Sequence, residues 1–208
     1  MEFITADSPE YKTEIKRSEF ICRIKKVATE EEAREFIAER RKLHSLATHN
    51  CYAYVVVSDG VERVRYSDDG EPQGTAGQPI LNVLKNKGFK NVVAVVTRYF
   101  GGVKLGAGGL VRAYSEACAG AAACATIKKC LLCTELLADF SYENYKKFSA
   151  FRLPDYARVC DTVYAEKVSV KLIVKKTECD VFIAEFENYF NKKQAISRLS
   201  DVWAEFDE

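Results

Sequence analysis

Histidine occurs twice in this chain, at His44 and His49, and tryptophan and methionine once each. No His-Glu-x-x-His zinc spacing and no Gly-x-Ser-x-Gly elbow is present. His49-Asn50-Cys51 lacks the glutamate and the downstream Pro-Cys-x-x-Cys of a zinc deaminase, which excludes that chemistry. No run of eighteen apolar residues occurs, so no membrane-spanning helix is expected. Met1-Glu2-Phe3-Ile4-Thr5 lacks the basic and then apolar run of a secretory signal, and a cytoplasmic protein is expected. Four prolines and eleven glycines argue against a disordered or fibrous chain. An excess of charge is missing too. The 31 Lys/Arg and 30 Asp/Glu leave a net +1, which excludes a globally basic nucleic-acid protein but not a basic face.

What is present is an ordinary globular composition, 48% hydrophobic and 29% charged over 208 residues. That length allows one large domain or two small ones. Eight cysteines without an export signal read as reduced thiols packed as small hydrophobes. Only Cys130 and Cys133 form a close pair, and a structural zinc site usually takes two, so no metal is expected. Residues 1–132 hold 20 Lys/Arg against 16 Asp/Glu, whereas residues 133–208 hold 11 against 14. From 72 to 115 six cations (Lys85, Lys87, Lys90, Arg98, Lys104, Arg112) stand without one acid. Such a field suits an anionic partner. A solvated face balanced by acids elsewhere is the plain alternative.

Alternation through Phe20, Cys22 and Ile24 predicts a first strand over Glu14–Lys26. Thr29 and Glu32 have capping-box spacing ahead of Ala33, Phe36, Ile37 and Leu43, which predicts an amphipathic helix over 29–42. Cys51–Val57 and Val61–Tyr66 read as a hairpin turning at Ser58-Asp59-Gly60. Asn91–Val96 is almost wholly apolar and β-branched, as a strand covered on both faces would be. Residues 78–87 and the Ala-rich 109–126 read as helices. The last third predicts a strand over Leu136–Phe140, a helix opened by Ser141, and a hairpin from Val159–Ala165 and Val168–Val174. A helix started by Thr177 and Asp180 follows, then a strand over Ser200–Phe206. That βαββαβ order is ferredoxin-like. The predicted fold class is α+β in two domains, residues 1–132 and 133–208, parting near Leu131–Glu135.

Two segments invite chemistry. Ser67–Gly77 places Asp68, Asp69 and Glu71 with Gly70, Gly74, Thr75 and Gly77 between a strand and a helix. Asp and Gly are ordinary turn formers, yet clustered carboxylates also suit magnesium or a basic partner. The second segment runs Arg98-Tyr99-Phe100-Gly101-Gly102-Val103-Lys104-Leu105-Gly106-Ala107-Gly108-Gly109. It joins the buried strand to the small-residue helix, where backbone N–H groups converge on anions. Neither G-x-G-x-x-G in the right place nor G-x-x-x-x-G-K-[ST] is met. Close helix–sheet packing explains glycines here equally well. His49 reads as a hydrogen-bonded residue at a strand entrance, with a Cys–His nucleophilic pair left open.

Gly88–Gly106 (GFKNVVAVVTRYFGGVKLG), with Ser67–Leu81 (SDDGEPQGTAGQPIL) and His49-Asn50-Cys51, resembles the shared blocks of the IMPACT/YigZ family. The likeness covers most of residues 14–128, and the second half is similar to the C-terminal domain of bacterial members. The resemblance implies a ribosomal-protein-like first domain, an α/β sandwich with its helices on one face of the sheet. A ferredoxin-like second domain would follow, the pair resembling the fourth and fifth domains of elongation factor G. It also implies a role in translation control, with RNA, the ribosome or a protein of that system as partner. The family offers no catalytic residue to carry over, and no cofactor is expected.

The sequence therefore points to a binding protein. Arg98, Lys104 and Arg112, with the backbone of Gly101–Gly109, would meet phosphates, and Tyr99 or Phe100 would stack on a base. The alternative is a magnesium-dependent enzyme on a nucleotide or phosphorylated metabolite, with Asp68, Asp69 and Glu71 holding the ion. A protein–protein module is the third reading.

Overall fold

The computed structural model describes residues 2–58, 61–191 and 194–206. In chain order the elements are β1 (Glu2–Asp7), β2 (Tyr11–Ile15), β3 (Ser18–Lys26), α1 (Glu30–Leu43), β4 (His49–Ser58), β5 (Val61–Ser67), α2 (Gly77–Asn86) and β6 (Val92–Tyr99). There follow α3 (Ala107–Ala123), β7 (Thr126–Phe140), α4 (Tyr142–Ser149), β8 (Ala157–Tyr164), β9 (Val168–Lys175), α5 (Cys179–Tyr189) and β10 (Ser197–Phe206). Phe3–Lys128 forms one compact unit, and Lys129–Glu208 with Met1–Glu2 forms the other.

The first unit is built on an antiparallel sheet ordered β2-β3-β6-β4-β5. Its central strand β6 is buried along Val92–Arg98. Alternate residues feed two cores. Val92, Ala94 and Val96 pack with Ile80, Leu84, Leu110 and Ala117 of α2 and α3, while Val93 and Val95 pack with Ala33, Phe36 and Ile37 of α1. Strand side chains alternate between faces, so α1 lies on the face opposite α2 and α3. This corrects the expectation of helices on one face only.

Local signals explain most of the boundaries. Thr29 caps α1 by accepting Glu32 N–H at 3.1 Å, and the Glu32 carboxylate reaches back to Ala28 N–H at 2.7 Å. The single strand expected over Glu14–Lys26 is instead a hairpin with Ile15 paired to Ser18. Its two-residue turn puts Lys16 and Arg17 at φ +48° and +67°, a conformation usually signalled by Asn-Gly, so the sequence hid it. Asp59 and Gly60 of the expected turn lie outside the described residues; Ser58 and Val61 beside them are paired.

The second unit runs β-α-β-β-α-β, and its strands lie in the order β10-β7-β9-β8, all antiparallel. Phe148, Phe182, Phe186 and Phe190 of the helical layer pack with Leu136, Ala138, Phe140, Val170 and Leu172 of the sheet. Two expectations shift. β7 begins at Thr126, ten residues before the predicted strand, because Thr126–Lys129 are exposed and show no apolar alternation. Thr177 does not cap α5; it sits inside a 3-10 turn over Lys176–Glu178, and the helix starts at Cys179.

Candidate functional site

The end of β6 delivers the basic, glycine-rich segment to α3, and its first cation is not on the surface. Arg98 is 5% exposed. Its Nη1 donates to Glu71 Oε1 at 2.6 Å and its Nη2 to Ser18 Oγ at 3.3 Å. The guanidinium stands 5.4 Å from the ring centres of both Phe20 and Phe100. Because β6 is covered on both faces, this side chain is enclosed, and an enclosed cation needs a counter-charge. Glu71, 8% exposed, supplies it. The expected phosphate contact of Arg98 is therefore corrected: its charge is neutralised inside the protein.

Tyr99 is engaged as well. Arg40 Nη2 donates to His44 Nε2 at 2.7 Å, which leaves His44 Nδ1–H to donate to the Tyr99 hydroxyl at 2.9 Å. Phe100 remains open, at 48% exposure. At Gly101 packing governs. A Cβ there would stand 1.9 Å from Arg17 O, and its N–H donates to Ser18 Oγ at 3.2 Å. Glycine alone lets the loop cross the β2–β3 turn so closely, and this amide is not available to an anion.

Beyond Gly101 the segment opens. Gly102 and Lys104 are exposed. Gly106 takes φ +72°, and α3 starts with no side-chain cap and no acid in its first turn. The first N–H groups of a helix, here those of Ala107, Gly108 and Gly109, have no acceptor within it and carry its positive dipole end. Lys104 and Arg112 are exposed and stand in no ion pair among the described residues. Beneath this rim lies a cavity of about 340 Å³ bounded by Glu71, Pro72, Arg98, Phe100, Leu110 and the 104–107 stretch.

The acidic loop is largely committed to its own architecture. Asp68 Oδ1 accepts the N–H groups of Ala76 at 3.0 Å and Gly77 at 2.8 Å, and Oδ2 accepts that of Gly74 at 2.9 Å. Ala76 offers α2 no cap, so Asp68 caps it from upstream, placing negative charge at the positive helix end. Asp69 accepts Asn50 N–H at 2.7 Å and Arg41 Nη2 at 2.6 Å. Gly70 makes its turn at φ +90°, and the Thr75 hydroxyl donates to Pro72 O at 2.6 Å. The magnesium alternative requires both loops at one cavity, and they do share it. Only Glu71 of the three acids lines it, and the other two are held by the amides and guanidinium just described. Among the described residues no group of three or more His, Cys, Asp or Glu gathers as metal ligands.

His49 opens β4 as expected of a strand-entrance residue. Its Nδ1 donates to Asp69 O at 2.8 Å, since a carbonyl only accepts, and its Nε2 stays 3.8 Å from Glu71 Oε1. The neighbouring thiol is no nucleophile: Cys51 Sγ donates to Asp68 O at 2.9 Å, and burial pushes its pKa well above the ordinary range, whereas reactivity needs the thiolate. Three residues of the site escaped the sequence reading. Ser18 bridges Arg98 and Gly101. Tyr114 donates to Glu71 Oε1 at 2.8 Å, its hydroxyl kept protonated by burial. Arg17 lines a groove with Tyr99 and Phe100. Tyr114 had a signal, as the one aromatic in a helix of small residues; the other two had none.

The model of the Impact N-terminal domain matches residues 16–122 of this chain. The IMPACT family member YvyE of Bacillus subtilis is 39% identical over 201 residues, across 93% of this chain and 89% of the relative. YigZ of Escherichia coli is 45% identical over 102 residues, about half of each chain (49% and 50%). A crystal structure of a hypothetical protein aligns with 96% of this chain and 98% of its own, at 28% identity and a TM-score of 0.65.

Proposed function

The chain belongs to the IMPACT family, and from that premise we propose that it regulates translation in the cytoplasm by docking on RNA phosphates of the ribosome. The observation that carries the reading is the uncapped start of α3 between the exposed and unpaired Lys104 and Arg112. Helix N-termini and free cations are what phosphates seek on a protein surface. Arg17, exposed beside Phe100, adds a cation in a groove that also carries Lys12, Glu14 and Glu19. Arg98 is removed from the contact set and becomes the internal clamp that holds the Glu71 loop and Phe100 in place. We read the second unit as ferredoxin-like, on its β-α-β-β-α-β order with the fourth strand beside the first. The first unit is read as the family's ribosomal-protein-like α/β domain, modified by α1 on the face opposite α2 and α3.

The test is co-sedimentation of the full chain with ribosomes at low and at high salt. Attachment should weaken as salt rises, because neutralised phosphates release counterions. Replacing Lys104 and Arg112 with alanine should reduce the logarithmic salt slope by about one to two units. Attachment indifferent to salt, or a slope unchanged in the double variant, overturns the reading. A protein partner would then be the better account.

A further inference from the structure

We propose that His44 is a proton-operated latch. Neutral, it ties the end of β6 to α1; protonated, it releases Tyr99 and opens the groove beside Phe100. The device is separate from whatever the start of α3 binds.

The latch belongs to the connection between α1 and β4, which meets the end of β6 at three successive residues. Thr48 N–H donates to Arg98 O at 2.9 Å, and Thr48 Oγ1 accepts Phe100 N–H at 3.2 Å. Between them His44 holds the Tyr99 side chain. The two rings meet edge to face with centres 6.0 Å apart, and the two imidazole nitrogens join Arg40 to the Tyr99 hydroxyl. Tyr99 is in turn one wall of a groove of about 580 Å³ that Phe100 and Arg17 also line.

Only one protonation state fits this arrangement. A guanidinium has donors and no acceptor, so Arg40 Nη2 at 2.7 Å requires a bare Nε2. The single ring proton then sits on Nδ1 and serves Tyr99. A second proton turns Nε2 into a donor facing a donor and sets two cations side by side. Arg40 cannot give way, being 3% exposed and anchored on Glu10. The ring can, because His44 closes α1 and leads into a segment whose Leu46 is 91% exposed. Glu10 Oε1 lies 3.9 Å from Nε2. A charged ring that turns toward this carboxylate gains an ion pair and carries Nδ1 away from Tyr99.

The charges facing the ring set the pH range. Arg40 of α1 and Lys12 of β2 oppose the added proton; Glu10, before β2, and Glu19 of β3 favour it. Tyr99 of β6 is the neutral neighbour. Burial and Arg40 prevail, so release comes below the ordinary histidine value of 6.5.

With two histidines in the chain, ring-nitrogen NMR tests this directly, and the signal lost in His44→Gln identifies His44. At neutral pH that ring should show a bare Nε2 and a protonated Nδ1. As pH falls from about 7 to about 5, the Tyr99 ring signals should follow the His44 titration. Over the same range the exchange protection of the Phe100 amide should drop about fivefold, the worth of one hydrogen bond. The amides of Val93 and Val95, in the core against α1, should keep their protection. In His44→Gln the side-chain amide still accepts from Arg40 and donates to Tyr99 but cannot titrate, so both responses should vanish. A proton on Nε2 at neutral pH overturns the proposal, as do Tyr99 and Phe100 signals that ignore the His44 titration. So does either response persisting in His44→Gln, or core protection lost in step with that of Phe100.

Discussion

Arg98 and Glu71 form a pair whose chemistry differs from its apparent sequence role. From the sequence, an arginine beside glycines reads as a phosphate ligand and a glutamate among aspartates as a metal or cation ligand. Their partnership spans 27 residues and depends on the sheet, so no local spacing announces it. Both are buried, and each has one further neutral partner, Ser18 for Arg98 and Tyr114 for Glu71. Removing one charge would strand the other in a low-dielectric interior, at a cost of about 3–5 kcal/mol. Arg98→Met and Glu71→Leu should each lower the urea midpoint strongly, while the double variant should recover much of the loss. Equal, additive losses in the two single variants and their combination would mean the pair is not coupled.

At the scale of elements, the signals read correctly were those whose cause lies within a few residues. Thr29 and Glu32 mark the start of α1 because the two capping residues stand three positions apart. Ser141 opens α4 in the same way, accepting Asn144 N–H at 3.2 Å. The double apolar face of β6 is visible because β-branched residues occupy both phases of the strand. The errors have the opposite cause. The β2–β3 turn uses Lys16 and Arg17 in a conformation their side chains disfavour. At Gly101 the sequence allows both packing and anion contact, and the contact with Arg17 decides for packing. Gly101→Ala should therefore destabilise the first unit, as the added methyl meets a backbone carbonyl rather than a yielding side chain. Thermal unfolding would register this as a lowered midpoint, and Gly102→Ala, with open space around it but φ +82°, should cost only the strain of its backbone, about 1–2 kcal/mol.

For the molecule as a whole, near-neutral charge conceals a local arrangement, and the same holds for its response to acid. His44 accepts from Arg40 and is partly buried, so desolvation and the nearby guanidinium lower its pKa below the usual 6.5. The folded chain therefore resists the proton that the unfolded chain accepts. Stability should be flat across this group above about pH 6.5 and should fall as pH drops below it, since the unfolded state binds more protons there. Glu10, lowered by its hydrogen bond to Arg40, adds a second loss below about pH 4.5. His44→Gln should flatten the upper segment of the urea-stability profile and leave the lower one. A profile unchanged between pH 5 and 7 in that variant would remove His44 as the cause. The two-unit architecture and the family blocks were legible at this scale because they are written in long stretches of chain. The location of the open positive surface was only half legible, because exposure is settled by neighbours that meet in space.

The middle strand of the five-stranded sheet is also the last of the five to be synthesised. Until β6 emerges, β3 and β4 each wait with one edge bare, and an unpaired edge invites association with other chains. The two halves of the sheet are joined only when a run of seven buried residues slides between them. A nascent chain halted before residue 92 thus carries two bare strand edges that the finished sheet hides.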